Sequence, residues 1–85
     1  MKGCKMTVKA YIMMNVKTGS EDEVCQELAK FDEVEDVSTI YGEYDAVVKV
    51  NALDMDHLDG FILEKLRGMP NIFLTATMLI AKEYK

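Results

Sequence analysis

The chain has 85 residues and a formal net charge of −5, from 15 acidic and 10 basic side chains, with 49% hydrophobic and 29% charged residues. That balance excludes a disordered tail and leaves room for one domain, and basic residues scattered singly argue against a surface that holds nucleic acid. No apolar run approaches the roughly 20 residues of a membrane span, and Met1 to Met6 is too short and too polar to open a signal peptide, so a cytoplasmic chain is expected. A domain of this size buries only about 60% of the surface its unfolded chain exposes, so its stability is expected to draw on a partner.

The expected domain is 1–85, with a core over about 8–81 and tails at 1–7 and 82–85. From Val8 to Val16, the side chains of Val8, Ala10, Ile12, Met14 and Val16 alternate with Lys9, Tyr11, Met13 and Asn15. This period of two predicts a first strand, covered on both faces though unequally. Lys17-Thr18-Gly19 makes a turn. Ser20-Glu21-Asp22-Glu23 then reads as a capping box, the Ser20 hydroxyl accepting from the Glu23 amide while the Glu23 carboxylate reaches back. Val24, Cys25, Leu28 and Phe31 recur at helical spacing, which predicts a helix over Ser20–Phe31. Its three first-turn acids complement the helix dipole and are not read as a metal site.

A second strand is predicted over Val34–Tyr41 and a third over Ala46–Val50, joined as a hairpin by the polar turn Tyr41-Gly42-Glu43-Tyr44-Asp45. Asp54 is a good N-cap, and Met55, Leu58, Phe61, Ile62, Leu66 and Met69 trace a second helical stripe that Gly68 and Pro70 end. Gly60 within that helix costs about 1 kcal/mol relative to alanine, which suggests that its small size admits a close neighbour. Ile72–Ala81 reads as a last strand, with Ile72, Leu74, Ala76, Met78 and Ile80 on one face and Phe73, Thr75, Thr77, Leu79 and Ala81 on the other. Lys82 to Lys85 is a polar tail.

Strand, helix, strand, strand, helix, strand is the order of an α+β, ferredoxin-like βαββαβ sandwich. Both helices then cover one face of a four-stranded antiparallel sheet and leave the other bare, with Tyr11, Met13, Phe73, Thr75, Thr77 and Leu79 expected on it. Such a face exceeds what a soluble monomer normally exposes, so two sheets are expected to pack face to face in a dimer through Tyr11, Met13, Phe73 and Leu79.

The candidate site is the Tyr41–Asp45 turn, where a glycine, two tyrosines and a carboxylate fall within five residues. That mixture suits a small zwitterion. The alternative is an ordinary hairpin turn in which Asp45 hydrogen-bonds backbone amides. Nothing favours catalysis: His57 is the single histidine, and there is no nucleophile and base pair, metal spacing or phosphate loop. Neither an enzyme nor a cofactor or metal is expected. Cys25 reads as a small buried hydrophobe and Cys4 as an exposed thiol.

Ala10-Tyr11-Ile12, then Gly42-Glu43-Tyr44-Asp45 leading straight into Val47-Val48-Lys49-Val50, then the Pro70 turn and Thr75-Ala76-Thr77 form an ordered set over most of the chain. From about Val8 to Ala81 the chain resembles the effector-binding (RAM) domain of the Lrp/AsnC, or feast/famine, transcriptional regulators, in stand-alone form. The resemblance implies a dimeric α+β barrel that assembles further into a tetramer or octamer, with an amino acid effector held where dimers meet. It places the family's glycine-containing turn on Gly42, Tyr44 and Asp45, and its effector-responsive last strand on Thr75, Thr77 and Met78.

In that frame Asp45 receives a ligand ammonium and amides around Gly42 meet its carboxylate. Thr75 and Thr77 orient it, while Tyr41, Tyr44 and Met78 line the side-chain space. The sequence carries no helix-turn-helix pattern, so no direct nucleic-acid contact is expected, and any regulatory role would run through ligand sensing or co-assembly with full-length Lrp/AsnC regulators. Two other readings stand beside this one: an assembly module without ligand, and a small enzyme of the kind that dimeric α+β barrels also house.

Overall fold

The computed structural model describes residues 7–85, so Cys4 lies outside the described residues. The elements run β1 (Val8–Val16), α1 (Glu21–Leu28), β2 (Val34–Thr39), β3 (Ala46–Ala52), α2 (Met55–Gly60), a π-helical continuation of α2 over Phe61–Leu66, and β4 (Ile72–Leu79). The strands form one antiparallel sheet in the order β2-β3-β1-β4. This is the α+β, ferredoxin-like arrangement that the element order predicts. No helix among the described residues is long and apolar enough to cross a membrane.

The period of two in β1 becomes a core face because of what stands opposite it. Ala10 pairs with Val50, Ile12 with Val48 and Met14 with Ala46, and residues directly opposite in an antiparallel pair point to the same side. All six are fully buried. Val24 and Leu28 of α1, Leu58 of α2 and Phe61 and Leu66 of its continuation close over them, and Phe31 meets Phe61 edge to face at 5.6 Å.

The helix ends depart from expectation in specific ways. Ser20 does not form the capping box: with φ −107° and ψ 7° it is not in the extended cap conformation and makes no side-chain cap bond. The turn is held instead by Glu21, whose Oε1 accepts from the Gly19 amide at 2.9 Å. α1 ends at Leu28, and the chain reaches Phe31 through tight turn bonds, Lys30 N–H to Glu27 and Phe31 N–H to Leu28. Asp54 does cap α2, its Oδ1 accepting from the His57 amide at 2.8 Å. Gly60 has no close neighbour, since an added Cβ meets nothing within 4 Å; the crowded glycine is Gly68, whose Cβ would lie 3.4 Å from the Glu64 carbonyl.

β4 corrects the assignment of faces. Thr75, Thr77 and Leu79 stand opposite Met14, Ile12 and Ala10, on the helical side of the sheet, whereas Met78 and Ala76 stand opposite Tyr11 and Met13 on the open side. Phe73 is the extra residue of a bulge: Val16 pairs with Ile72 but Asn15 with Leu74. The bulge lets Ile72 pack against the core while Leu74 joins the open face. Of the residues expected on the bare face, Tyr11 and Met13 are there, Thr75, Thr77 and Leu79 are not, and Phe73 is the unpaired residue of the bulge. α1 and α2 lie over β2 and β3, so β4 has little cover on its helical side either, and Phe73, Leu74, Met78 and Leu79 are all more than half exposed.

Candidate functional site

Where the β2–β3 hairpin turns, the chain leaves the sheet between Ile40 and Asp45. Gly42 has φ +140°, a conformation that side-chain-bearing residues rarely adopt, and nothing surrounds it; glycine is required there by the backbone and not by space. Asp45 fastens the returning end of the turn. Its amide donates to the Met14 carbonyl at 2.9 Å, and its carbonyl accepts from the Ile40 amide at 2.9 Å. Its carboxylate Oδ2 accepts from the Val16 amide, also at 2.9 Å. A side-chain oxygen thus takes the place that the next backbone carbonyl of β3 would have filled, at the point where β1 also changes register against β4. The ordinary-turn reading of Asp45 is therefore realised for one oxygen. The other, Oδ1, accepts no hydrogen bond among the described residues.

That second oxygen belongs to a residue lining an open cleft of about 330 Å³, together with Glu21, Asp22, Thr39, Ile40 and Tyr41. Tyr41 is fully exposed and forms one wall. Gly42 sits in the adjoining turn and Tyr44 is half-buried beside Asp45, but neither lines the cleft. Thr75, Thr77 and Met78 lie on β4, with β1 between them and β3, and the threonines and Met78 face opposite sides of the sheet. One chain does not bring them to the cleft. Glu21 and Asp22 are the lining residues that sequence reasoning read only as dipole complements. The signal was in the topology: α1 starts where β1 ends, and antiparallel β3 begins at that same end of the sheet.

Three carboxylates line the cleft and no basic side chain does, so it favours a positively charged group. Among the described residues, no three His, Cys, Asp or Glu side chains are grouped to hold a metal ion. Cys25, on the following turn of α1, has its thiol pushed up by burial and then by the Asp22 and Glu21 charges, which keeps it protonated and unreactive.

The opposite end of β3 carries a second, closed polar cluster. Glu33 is buried, and its carboxylate takes Lys65 Nζ at 3.0 and 3.2 Å and His57 Nε2 at 3.1 Å. His57 Nδ1 accepts from the Leu53 amide at 3.0 Å, so the ring proton sits on Nε2 and points at Glu33. Burial works to raise the Glu33 pKa, but the bonds from Lys65, the backbone and His57 together hold it below the ordinary carboxylate value. The single histidine is a structural latch between α2 and the α1–β2 turn.

Over residues 9–85 the chain matches the family model described as the Lrp/AsnC ligand binding domain. The chain belongs to that family. This Lrp/AsnC domain is 36% identical over 76 residues to the HTH-type transcriptional regulator FL11 of Pyrococcus horikoshii, covering 89% of this chain and 50% of FL11. It thus spans about half the length of the curated relatives it matches. Among solved structures, FFRP-DM1 agrees with a TM-score of 0.83 at 44% identity, over 86% of this chain and 97% of that one. The regulator NMB0573 of Neisseria meningitidis, solved as an L-Met complex, shares the fold at a TM-score of 0.84 and 20% identity, over 92% of this chain and 52% of that one. In the Lrp/AsnC domain described here, the cleft beside Tyr41 and Asp45 is the candidate ligand site.

Proposed function

We propose that this domain binds an amino acid in the cleft beside the Tyr41–Asp45 turn, and that it does so as a homodimer that assembles further into a tetramer or octamer. The observation that carries the reading is the divided role of Asp45, a residue that lines the cleft with Tyr41: one oxygen is fixed by Val16 and the other accepts no hydrogen bond among the described residues. The fixed oxygen makes the free one a rigid acceptor for a ligand ammonium. In this reading the ligand extends from the cleft over the adjoining turn, where amides around Gly42 meet its carboxylate and Tyr44 joins Tyr41 over its side chain. Thr75, Thr77 and Met78 take part where another chain brings its β4 to the cleft, which agrees with an effector held between chains. The L-Met complex of the structurally similar regulator supports the ligand class.

The open sheet face with Tyr11 and Met13, and the exposed β4 residues Phe73 and Leu79, support association. The relatives are transcriptional regulators, and we place the domain in the cytoplasm, acting on transcription by sensing the effector or by co-assembly with full-length relatives and not by catalysis or by its own contact with nucleic acid. Its net charge of −5 supports the last point. Isothermal titration with each common amino acid tests the reading. Saturable binding of at least one is expected; silence for all of them would overturn the sensor and leave the assembly module, which the uncovered β4 favours.

A further inference from the structure

The open face of the sheet is divided. Near β4 it is apolar, with Tyr11, Met13, Ala76 and Met78 in two opposed pairs. Toward the start of β1 it carries charges, and these form a closed set. Lys9 of β1 and Lys49 of β3 both reach Glu83, at 3.3 and 2.8 Å, and both reach Glu35, at 3.7 and 3.8 Å. Glu35 is aimed there by a bulge in β2, where Val34 pairs with Val50 but Asp36 with Lys49. It also accepts from Asn51 Nδ2 at 2.9 Å. Glu83 comes from the C-terminal polar tail. The Ile80 amide donates to the Lys9 carbonyl at 2.9 Å, which extends the β1–β4 ladder by one residue and delivers the tail onto this face.

We propose that Glu83 is an interface residue: it neutralises Lys9 and Lys49 so that a second copy of this chain can cover the open face of the sheet. The proposal rests on the homodimer reading above. In the isolated chain these pairs are still partly in water, and such pairs contribute little to stability. Their importance changes once the face is covered, because a charge taken out of water must be paired. With Glu83 the set has two positive and two negative charges; without it, two lysines face Glu35 alone. Asp36, beside Lys49 in register, is exposed and makes no ion pair among the described residues. The occupant is a second copy because the set is neutral as it stands. Its paired charges leave no basic field for an acidic partner, while a two-fold mate brings the same paired set and the same apolar strip.

Sedimentation equilibrium on the wild type, Glu83→Gln and the double variant Glu83→Gln with Lys49→Met tests this. Glu83→Gln should weaken dimerisation by about tenfold or more while leaving the monomer's circular dichroism unchanged. Adding Lys49→Met removes one lysine, leaves Lys9 against Glu35, and should restore most of the lost affinity. If Glu83→Gln dimerises as the wild type does, or the double variant is no better than the single, the proposal fails and the dimer reading stands. A tighter dimer in Glu83→Gln would mean that the tail competes with the partner, and would overturn it too. A wild type that stays monomeric overturns both readings together.

Discussion

The two ends of β3 each carry an acidic residue that ties the strand to a neighbouring element, yet they differ in what the carboxylate has left to offer. At the Ala52 end, both oxygens of Glu33 are occupied by Lys65 and His57. At the Ala46 end, Asp45 spends one oxygen on the Val16 amide and keeps the other beside an open cleft. Burial and hydrogen bonding alone therefore do not separate a structural carboxylate from a binding one. The unspent capacity does, because a ligand group can be accepted only where an acceptor is free and the protein has already fixed its direction.

The largest effect on stability is expected at the closed end. Glu33→Ala leaves Lys65 and His57 without their common acceptor, but both are partly in water, at 42% and 36% exposure, so the loss falls near the lower part of the range for charged hydrogen bonds, about 2 kcal/mol. Urea denaturation measures it, and ligand affinity should not change beyond what the lost stability explains. A loss under about 0.5 kcal/mol would show the latch to be ornamental. The same group fixes a pH dependence. Its pKa in the fold lies below the ordinary 4.5, so its contribution is complete above about pH 4.5 and fades as pH falls through the folded-state value. Midpoints for wild type and Glu33→Gln should therefore differ at neutral pH and converge in acid; curves that stay parallel down to about pH 3 would contradict the linkage.

Asp45 sharpens the comparison from the other side. Asp45→Asn keeps an oxygen for the Val16 amide and removes the charge, so it should cost about 1.5–3 kcal/mol of amino acid binding and little stability. Asp45→Ala also frees the Val16 amide at a part-buried position and should lower stability by about 1 kcal/mol. Paired titration and melting measurements on the two variants separate the two oxygens. Unchanged affinity in Asp45→Asn would remove Asp45 from the site and shift the weight to Thr75 and Thr77.

How far the sequence could be read depended on whether the deciding interaction was local. β1, with clean alternation, and α2, with a capping aspartate, were legible because period and cap lie within a few residues. β4 was legible as a strand but not in its facing, since both of its sides are apolar and only pairing with β1, with the bulge at Phe73, decides which side meets the helices. The Tyr41–Asp45 turn was legible as a turn and as a candidate, because its glycine, tyrosines and carboxylate fall within five residues. The Asp45 bond to Val16 spans 29 positions and the His57 contact with Glu33 spans 24, and no periodicity reports such pairs. The ion pairs of the C-terminal tail were not legible for the same reason, because Glu83 finds its lysines only after β1 and β3 are side by side.

The smallest expected effects belong to Glu21 and Asp22, which line the cleft without a ligand contact assigned to either. Their charges act on a bound ammonium through partly solvated space, so Glu21→Gln and Asp22→Asn should each weaken binding by only about two- to threefold at low salt, and by less as added salt screens the field. Glu21→Gln retains an oxygen for the Gly19 amide, so the turn before α1 is kept. Each variant also loses a favourable interaction with the helix dipole, about 0.3–1 kcal/mol of stability, and melting must be measured beside affinity to keep the two apart. The ranking matters more than the sizes. If either variant loses as much affinity as Asp45→Asn, the ligand's positive group sits at the start of α1, and the free oxygen of Asp45 is not what distinguishes the two ends of β3.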